Sequence, residues 1–136
     1  MRIGFVSVSF LSVSFLAVLG LAAATFMTAD AATAANLPKR VGQCVETRVK
    51  DVATRLENMP GSGSAVDYEN GGYGVSYDQV PAVDNSRAGD PVTLCLVSIP
   101  RGCPPGDNRG RQYRATNKRT GQSWVLPDAE HMCGGA

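Results

Sequence analysis

The sequence predicts an all-β fold, a small antiparallel barrel of five or six strands stapled by two disulfides. Three observations predict it. Asn70-Gly71 stands between two runs that alternate apolar and polar residues, the strongest short-range hairpin signal. Residues 92–99 are almost continuously apolar between Gly89-Asp90-Pro91 and Pro100, as a buried central strand requires. Finally, Cys44, Cys95, Cys103 and Cys133 all follow a long apolar leader, and an even cysteine count in a small exported domain reads as a disulfide framework.

Export is expected from the first 35 residues. Arg2 is the sole charge before the uncharged stretch 3–29, dominated by Phe, Val, Leu, Ala and Ser. A short cationic start ahead of an apolar run is the signal-peptide pattern. Small residues suited to the peptidase stand at Ala29-Asp30-Ala31, Ala32-Thr33-Ala34 and Thr33-Ala34-Ala35. Cleavage is expected after Ala35, with Ala31 and Ala34 as alternatives. The rival is an uncleaved anchor, because the run exceeds the ~18 residues able to span a bilayer. Serines interrupt the run and small residues crowd its end, which favours the signal peptide. Cys44 is too far behind the run to serve lipoprotein attachment. Residues 1–35 therefore read as a signal peptide, and residues 36–136 as a single disulfide-linked β domain, periplasmic or secreted, with no membrane span after cleavage.

Within that domain, residues 44–56 allow two readings. Val45, Val49, Val52, Ala53 and Leu56 fit a helical stripe, with Glu46/Lys50 and Asp51/Arg55 as supporting pairs. Their β-branched content suits a pleated surface better, so a long, bulged first strand is expected and a helix is the alternative. Residues 64–77 follow as a hairpin. A two-residue Asn70-Gly71 turn would pair Tyr68 with Tyr73 and Val66 with Val75, placing Val66, Tyr68, Tyr73, Val75 and Tyr77 together on the core face. Gly71, Gly72 and Gly74 are flanked by tyrosines, not by the strand and helix of a phosphate-cradling loop. The central strand 92–99 leads into 102–110, whose two prolines and three glycines make an irregular loop. Residues 111–116 and 122–126 then form a second hairpin across 117–121, with Gly121 left-handed and Tyr113 and Trp124 supplying core contacts.

Four cysteines allow three connectivities, and spacing does not single one out. The expected pairs are Cys95 with Cys103, closing a loop that holds Pro100 and Gly102, and Cys44 with Cys133, joining the two ends of the domain. Zinc is the competing use of four cysteines, but the chain has no C-x-x-C pair and an oxidising compartment favours bridges.

The C-terminal half carries Cys95-Leu-Val-Ser-Ile-Pro, then Cys103-Pro-Pro-Gly-Asp, Arg109-Gly-Arg-Gln-Tyr113, Thr120-Gly-Gln-Ser-Trp124, Leu126-Pro-Asp and His131-Met-Cys133-Gly-Gly-Ala136. In these phrases it resembles a group of small, uncharacterised exported proteins of soil-dwelling alphaproteobacteria. The resemblance implies export and brings no activity and no functional residues with it. Small periplasmic lysozyme inhibitors share size and architecture, but their Ser-Gly-x-x-Tyr motif is absent, since no tyrosine stands at that spacing from Ser62-Gly63.

Charge supplies the functional asymmetry. Beyond residue 35 the chain has 12 Lys and Arg against 11 Asp and Glu, yet residues 101–119 hold Arg101, Arg109, Arg111, Arg114, Lys118 and Arg119 against Asp107 alone. Residues 67–90 are the reverse, with Asp67, Glu69, Asp78, Asp84 and Asp90 against Arg87. Two solvated faces that complement each other would explain this. The functional reading is a small, non-enzymatic binding module whose basic loop and hairpin, Arg109, Arg111, Tyr113, Arg114, Lys118 and Arg119, holds an anionic polysaccharide or protein. Nucleic acid is excluded as partner by compartment and by the lack of an aromatic stacking platform. No metal site and no cofactor is expected. The alternative function is a small extracytoplasmic hydrolase using His131, the only histidine, with Ser123 and Asp128, but so compact a cluster on one segment rarely attains triad geometry. Copper at His131, Met132 and Cys133 would need a free thiol.

Overall fold

The computed structural model describes residues 36–135; the signal-peptide reading of residues 1–35 lies outside them. The chain forms β1 (Cys44–Thr54), β2 (Ser64–Tyr68), β3 (Tyr73–Val75), a single helical turn α1 (Pro81–Asp84), β4 (Pro91–Ser98), β5 (Gln112–Asn117) and β6 (Ser123–Pro127). All strands join one antiparallel sheet in the order β3-β2-β1-β4-β5-β6. The sheet curls until β3 lies close to β6, giving a half-barrel with no ladder across its seam among the described residues.

Segment 44–56 takes the strand reading, with a bulge between Val49 and Asp51. An extra residue there strengthens the local twist, so β1 pairs with β4 through its first half and with β2 through its second. β4 is central, and its pleat sorts it: Val92, Leu94 and Leu96 are buried inside the curl while Thr93, Cys95 and Val97 take the outer face. Val49, Val66, Tyr68, Tyr113, Ala115, Trp124 and Leu126 complete the concave core. Trp124 Nε1 donates to the Tyr68 hydroxyl at 3.0 Å, which satisfies a buried donor that would otherwise be costly.

The sequence gives little warning of α1. It sends the fully buried Val83 into the core, and Ser64 fastens its start by accepting from Val80 N (2.9 Å) and donating to Asp84 Oδ1 (2.7 Å).

Two expectations are corrected. The disulfides are Cys44–Cys95 and Cys103–Cys133, not Cys95–Cys103 and Cys44–Cys133. In the β1–β4 register Cys44 stands directly opposite Cys95, and both point outward. Past Cys95 the strand runs on to Ser98, about 10 Å at 3.3 Å per residue, which carries Cys103 out of reach. The first hairpin is also shifted by one residue. Tyr68 O accepts from Gly71 N (3.0 Å) and Tyr68 N donates to Gly72 O (2.9 Å), so the loop has three residues and ends on Gly71 at φ 81°, a type I turn with a glycine bulge. Val66 therefore pairs with Gly74, not Val75. Tyr73 and Val75 fall on the face opposite Val66 and Tyr68; Val75 is buried there as expected, whereas Tyr73 is only partly buried and Tyr77 is exposed. A Cβ on Gly74 would lie 3.2 Å from Val66 Cγ1 and 3.3 Å from Leu126 Cβ, so its missing side chain is what lets β3 close over β6.

Candidate functional site

The loop 102–110 and the β5–β6 hairpin both form as expected, with Gly121 at φ 71° and Tyr113 and Trp124 buried. The structure does not bring the six binding candidates into one site. It sorts them by partner.

Arg119 is bound inward. Its Nε and Nη2 reach Asp90 Oδ1 and Oδ2 at 2.5 and 2.8 Å, and Nη2 also donates to Asn85 O. Asp90 is buried, and its carboxylate additionally accepts from Asn117 Nδ2 (2.8 Å) and Arg87 N (3.1 Å). The guanidinium fork outweighs the cost of desolvation and holds Asp90 well below the usual carboxylate range. Asn117, fully buried, joins the pieces by donating also to Ser86 Oγ and accepting from Arg119 N and Thr120 N. Sequence reading missed Asn117, because a turn asparagine gives no sign of which distant groups it will meet.

Arg109 is bound to its own loop. Its Nε and Nη2 donate to Asp107 Oδ1 and Oδ2 at 2.9 and 2.8 Å, while Gly134 N donates to Oδ2 at 3.0 Å. Asp107 is thereby held below its ordinary range, by the Arg109 hydrogen bonds first and the backbone of Gly134 second. Lys118 pairs with Glu46, which also accepts from Thr93 Oγ1 at 2.8 Å, and the lysine and then the threonine depress its pKa.

Arg111 and Arg114 remain. Neither has a carboxylate partner among the described residues. Arg111 Nη2 donates to Asn108 Oδ1 at 3.2 Å, and its own N–H and that of Gly110 donate to Asp128 Oδ1 at 3.0 and 2.7 Å. Arg114 projects from the exposed outer face of β5, opposite Val125 and Cys95. Arg111, Asn108, Arg109, Asp107, Gly106 and Asp128 line an open cleft of about 600 Å³. Tyr113 does not join them at the surface. Its ring is buried, its hydroxyl has no hydrogen-bond partner among the described residues, and burial, then the Asp128 charge, push its pKa up.

The hydrolase set comes apart. Ser123 opens β6, sharing a hydrogen bond with Thr116, whereas Asp128 lies just beyond the far end of that strand, about 16 Å away at strand spacing. His131 is exposed on the following tail. Cys133 is bridged and no cysteine is free, which removes the thiolate that the copper and zinc readings need. Among the described residues no cluster of His, Cys, Asp or Glu could hold a metal ion, and no helix is long and apolar enough to cross a membrane.

Comparison with protein families, curated proteins and solved structures finds no match to this chain.

Proposed function

We propose that this chain is an exported, non-enzymatic binding module, processed after Ala35, that holds an acidic polysaccharide or protein through Arg111 and Arg114. The observation that carries the reading is their lack of any carboxylate partner among the described residues, while Arg109, Lys118 and Arg119 are already paired. An unpaired guanidinium presents a planar fork to carboxylate or phosphate. The two disulfides fit an oxidising, extracytoplasmic compartment, where acidic glycans and proteins are among the available polyanions. Asn108 supports the cleft side of the contact by orienting Arg111.

Elution by salt from immobilised polygalacturonate, a carboxylated glycan, tests the reading. The parent should be retained at low ionic strength and released as salt screens the contact. Arg111→Ser with Arg114→Ser should abolish retention, while Arg109→Ser with Asp107→Ser, which removes a pair that is neutral as a whole, should change it little. Equal retention of parent and double variant would overturn the proposal, as would turnover of ester, peptide or glycan substrates lost on His131→Ala.

A further inference from the structure

A second surface lies at the end of the sheet where the chain enters β1 and leaves β4. Arg40 O accepts from Gln43 N at 2.9 Å, and Gly42 adopts φ 86°, the pattern of a type II turn with glycine third and Val41 at its apex. Gln43 Oε1 ties the turn down by accepting from Lys39 N (3.0 Å) and Arg40 N (3.3 Å). Gly42 N donates to Leu96 O and Leu96 N to Gln43 O, so the turn is laced to the end of β4, one residue from the Cys44–Cys95 bridge. The loop that follows β4 presents Ile99 beside it. Val41 is 60% exposed and Ile99 43%, and the two share one surface groove with Val97, Ser98, Pro100 and Arg101.

Charge distinguishes this apolar pair from the exposed pair Leu56 and Met59. Leu56 and Met59 share their loop with Glu57, whereas no acidic residue occurs in 36–45 or in 97–106. Lys39, Arg40 and Arg101 flank Val41 and Ile99 in the chain, and none of the three makes an ion pair among the described residues. Two exposed aliphatic side chains, Val41 on a tied turn and Ile99 beside it, with unpaired cations next to them in the chain match one kind of surface, an apolar layer beneath a sheet of negative headgroups.

We infer that Val41 and Ile99, with Lys39, Arg40 and Arg101, dock this domain reversibly on the surface of an anionic lipid leaflet. The contact is independent of Arg111 and Arg114. Two aliphatic side chains bury less than a single acyl anchor, which is itself marginal, so docking depends on the headgroup charge. Each cation is expected to contribute about fivefold to partitioning, and the contact weakens with salt.

Co-sedimentation of the exported protein with phosphatidylglycerol/phosphatidylcholine vesicles, against phosphatidylcholine alone, tests the inference. The parent should sediment with the charged vesicles only. Val41→Ser with Ile99→Ser should lose most of that binding, and Lys39→Ser, Arg40→Ser and Arg101→Ser together should lower it by about a hundredfold, both with unchanged circular dichroism. Arg111→Ser with Arg114→Ser should sediment like the parent, which separates this surface from the glycan contact. Equal binding to the two vesicle types, or variants of the tip that sediment like the parent, would overturn it. So would tip variants that lose retention on polygalacturonate but keep vesicle binding, since the surface would then serve a soluble polyanion.

Discussion

The two ends of the β5 region close in opposite ways with the same pair of residue types. At the hairpin end, Arg119 forks onto Asp90, whose side chain is only 4% exposed, and fully buried Asn117 completes the set. At the loop end, Arg109 forks onto Asp107 in water, with side chains 49% and 17% exposed, and the covalent link Cys103–Cys133 holds the segment to the tail. A buried carboxylate must be paired or the fold suffers its full desolvation. An exposed pair fixes a local conformation and contributes little to stability. One end is thus closed by a polar network inside the fold, the other by a bond across its surface.

Breaking each closure should expose the difference, and the covalent one has the larger expected effect. Cys103→Ser with Cys133→Ser opens a bridge of sequence separation 30, which the chain-entropy account values at roughly 3.5 kcal/mol. Urea denaturation should show that loss, with hydrogen exchange rising first in 102–110 and in the tail. A loss below about 1 kcal/mol would mean that the exposed Asp107 contacts suffice to close that end without the bridge. Asn117→Ala should come next, at about 2 kcal/mol, because it strips a hydrogen bond from buried Asp90 and removes the acceptor of Arg119 N and Thr120 N. Its midpoint should fall while the slope with urea stays constant. If the change proves neutral, water has replaced the amide and the network is not closed.

Acid should then separate the two carboxylates. Both have folded pKa values below their unfolded ones, so each contributes stability that is complete above the unfolded value near 4 and is lost as pH falls toward the folded value. The Asp107 share is exposed and should shrink with salt, whereas the buried Asp90 share should persist. Melting temperature against pH at low and high salt measures this. Asp90→Asn should flatten the acid limb at high salt, and Asp107→Asn should flatten it only at low salt. Equal salt sensitivity for both variants would show that Asp90 is hydrated after all.

Much of the fold was legible because strands are written in local pattern. The apolar run of β4 and the connection carrying Gly121 announce themselves within a few residues, and the β-branched content of β1 tips a segment that also fits a helical stripe towards a strand. The disulfides did not, because Cys44 and Cys95 meet through a strand register 51 residues apart in sequence. Asn70-Gly71 marked a turn but not its length, since the same dipeptide serves a two-residue turn and a three-residue loop with a bulge. The basic strip was legible as composition and misleading as a site. Arg109 with Asp107 could be paired at a spacing of two, but Arg119 with Asp90 and Lys118 with Glu46 are products of the sheet order, and no window of sequence holds both partners.

The smallest structural effect belongs to Arg114, and it tests whether partner assignment separates folding charges from functional ones. Arg114 stands on the outer face of β5, between Cys95 on β4 and Val125 on β6, and gives no fork to any carboxylate among the described residues. Replacing it with Ser removes no buried contact, so stability should change by no more than about 0.5 kcal/mol. Arg119→Ser, an identical change of charge five residues on, should lower the melting temperature clearly because it leaves buried Asp90 with only the exposed Arg87 Nε, 3.8 Å away, as counter-ion. On immobilised polygalacturonate the order should reverse, with Arg114→Ser eluting at lower salt than the parent and Arg119→Ser, measured below its melting point, eluting near it. If both variants shift elution alike, the column reads net charge alone, and the division between a folding arginine and a binding arginine fails at the position where it is sharpest.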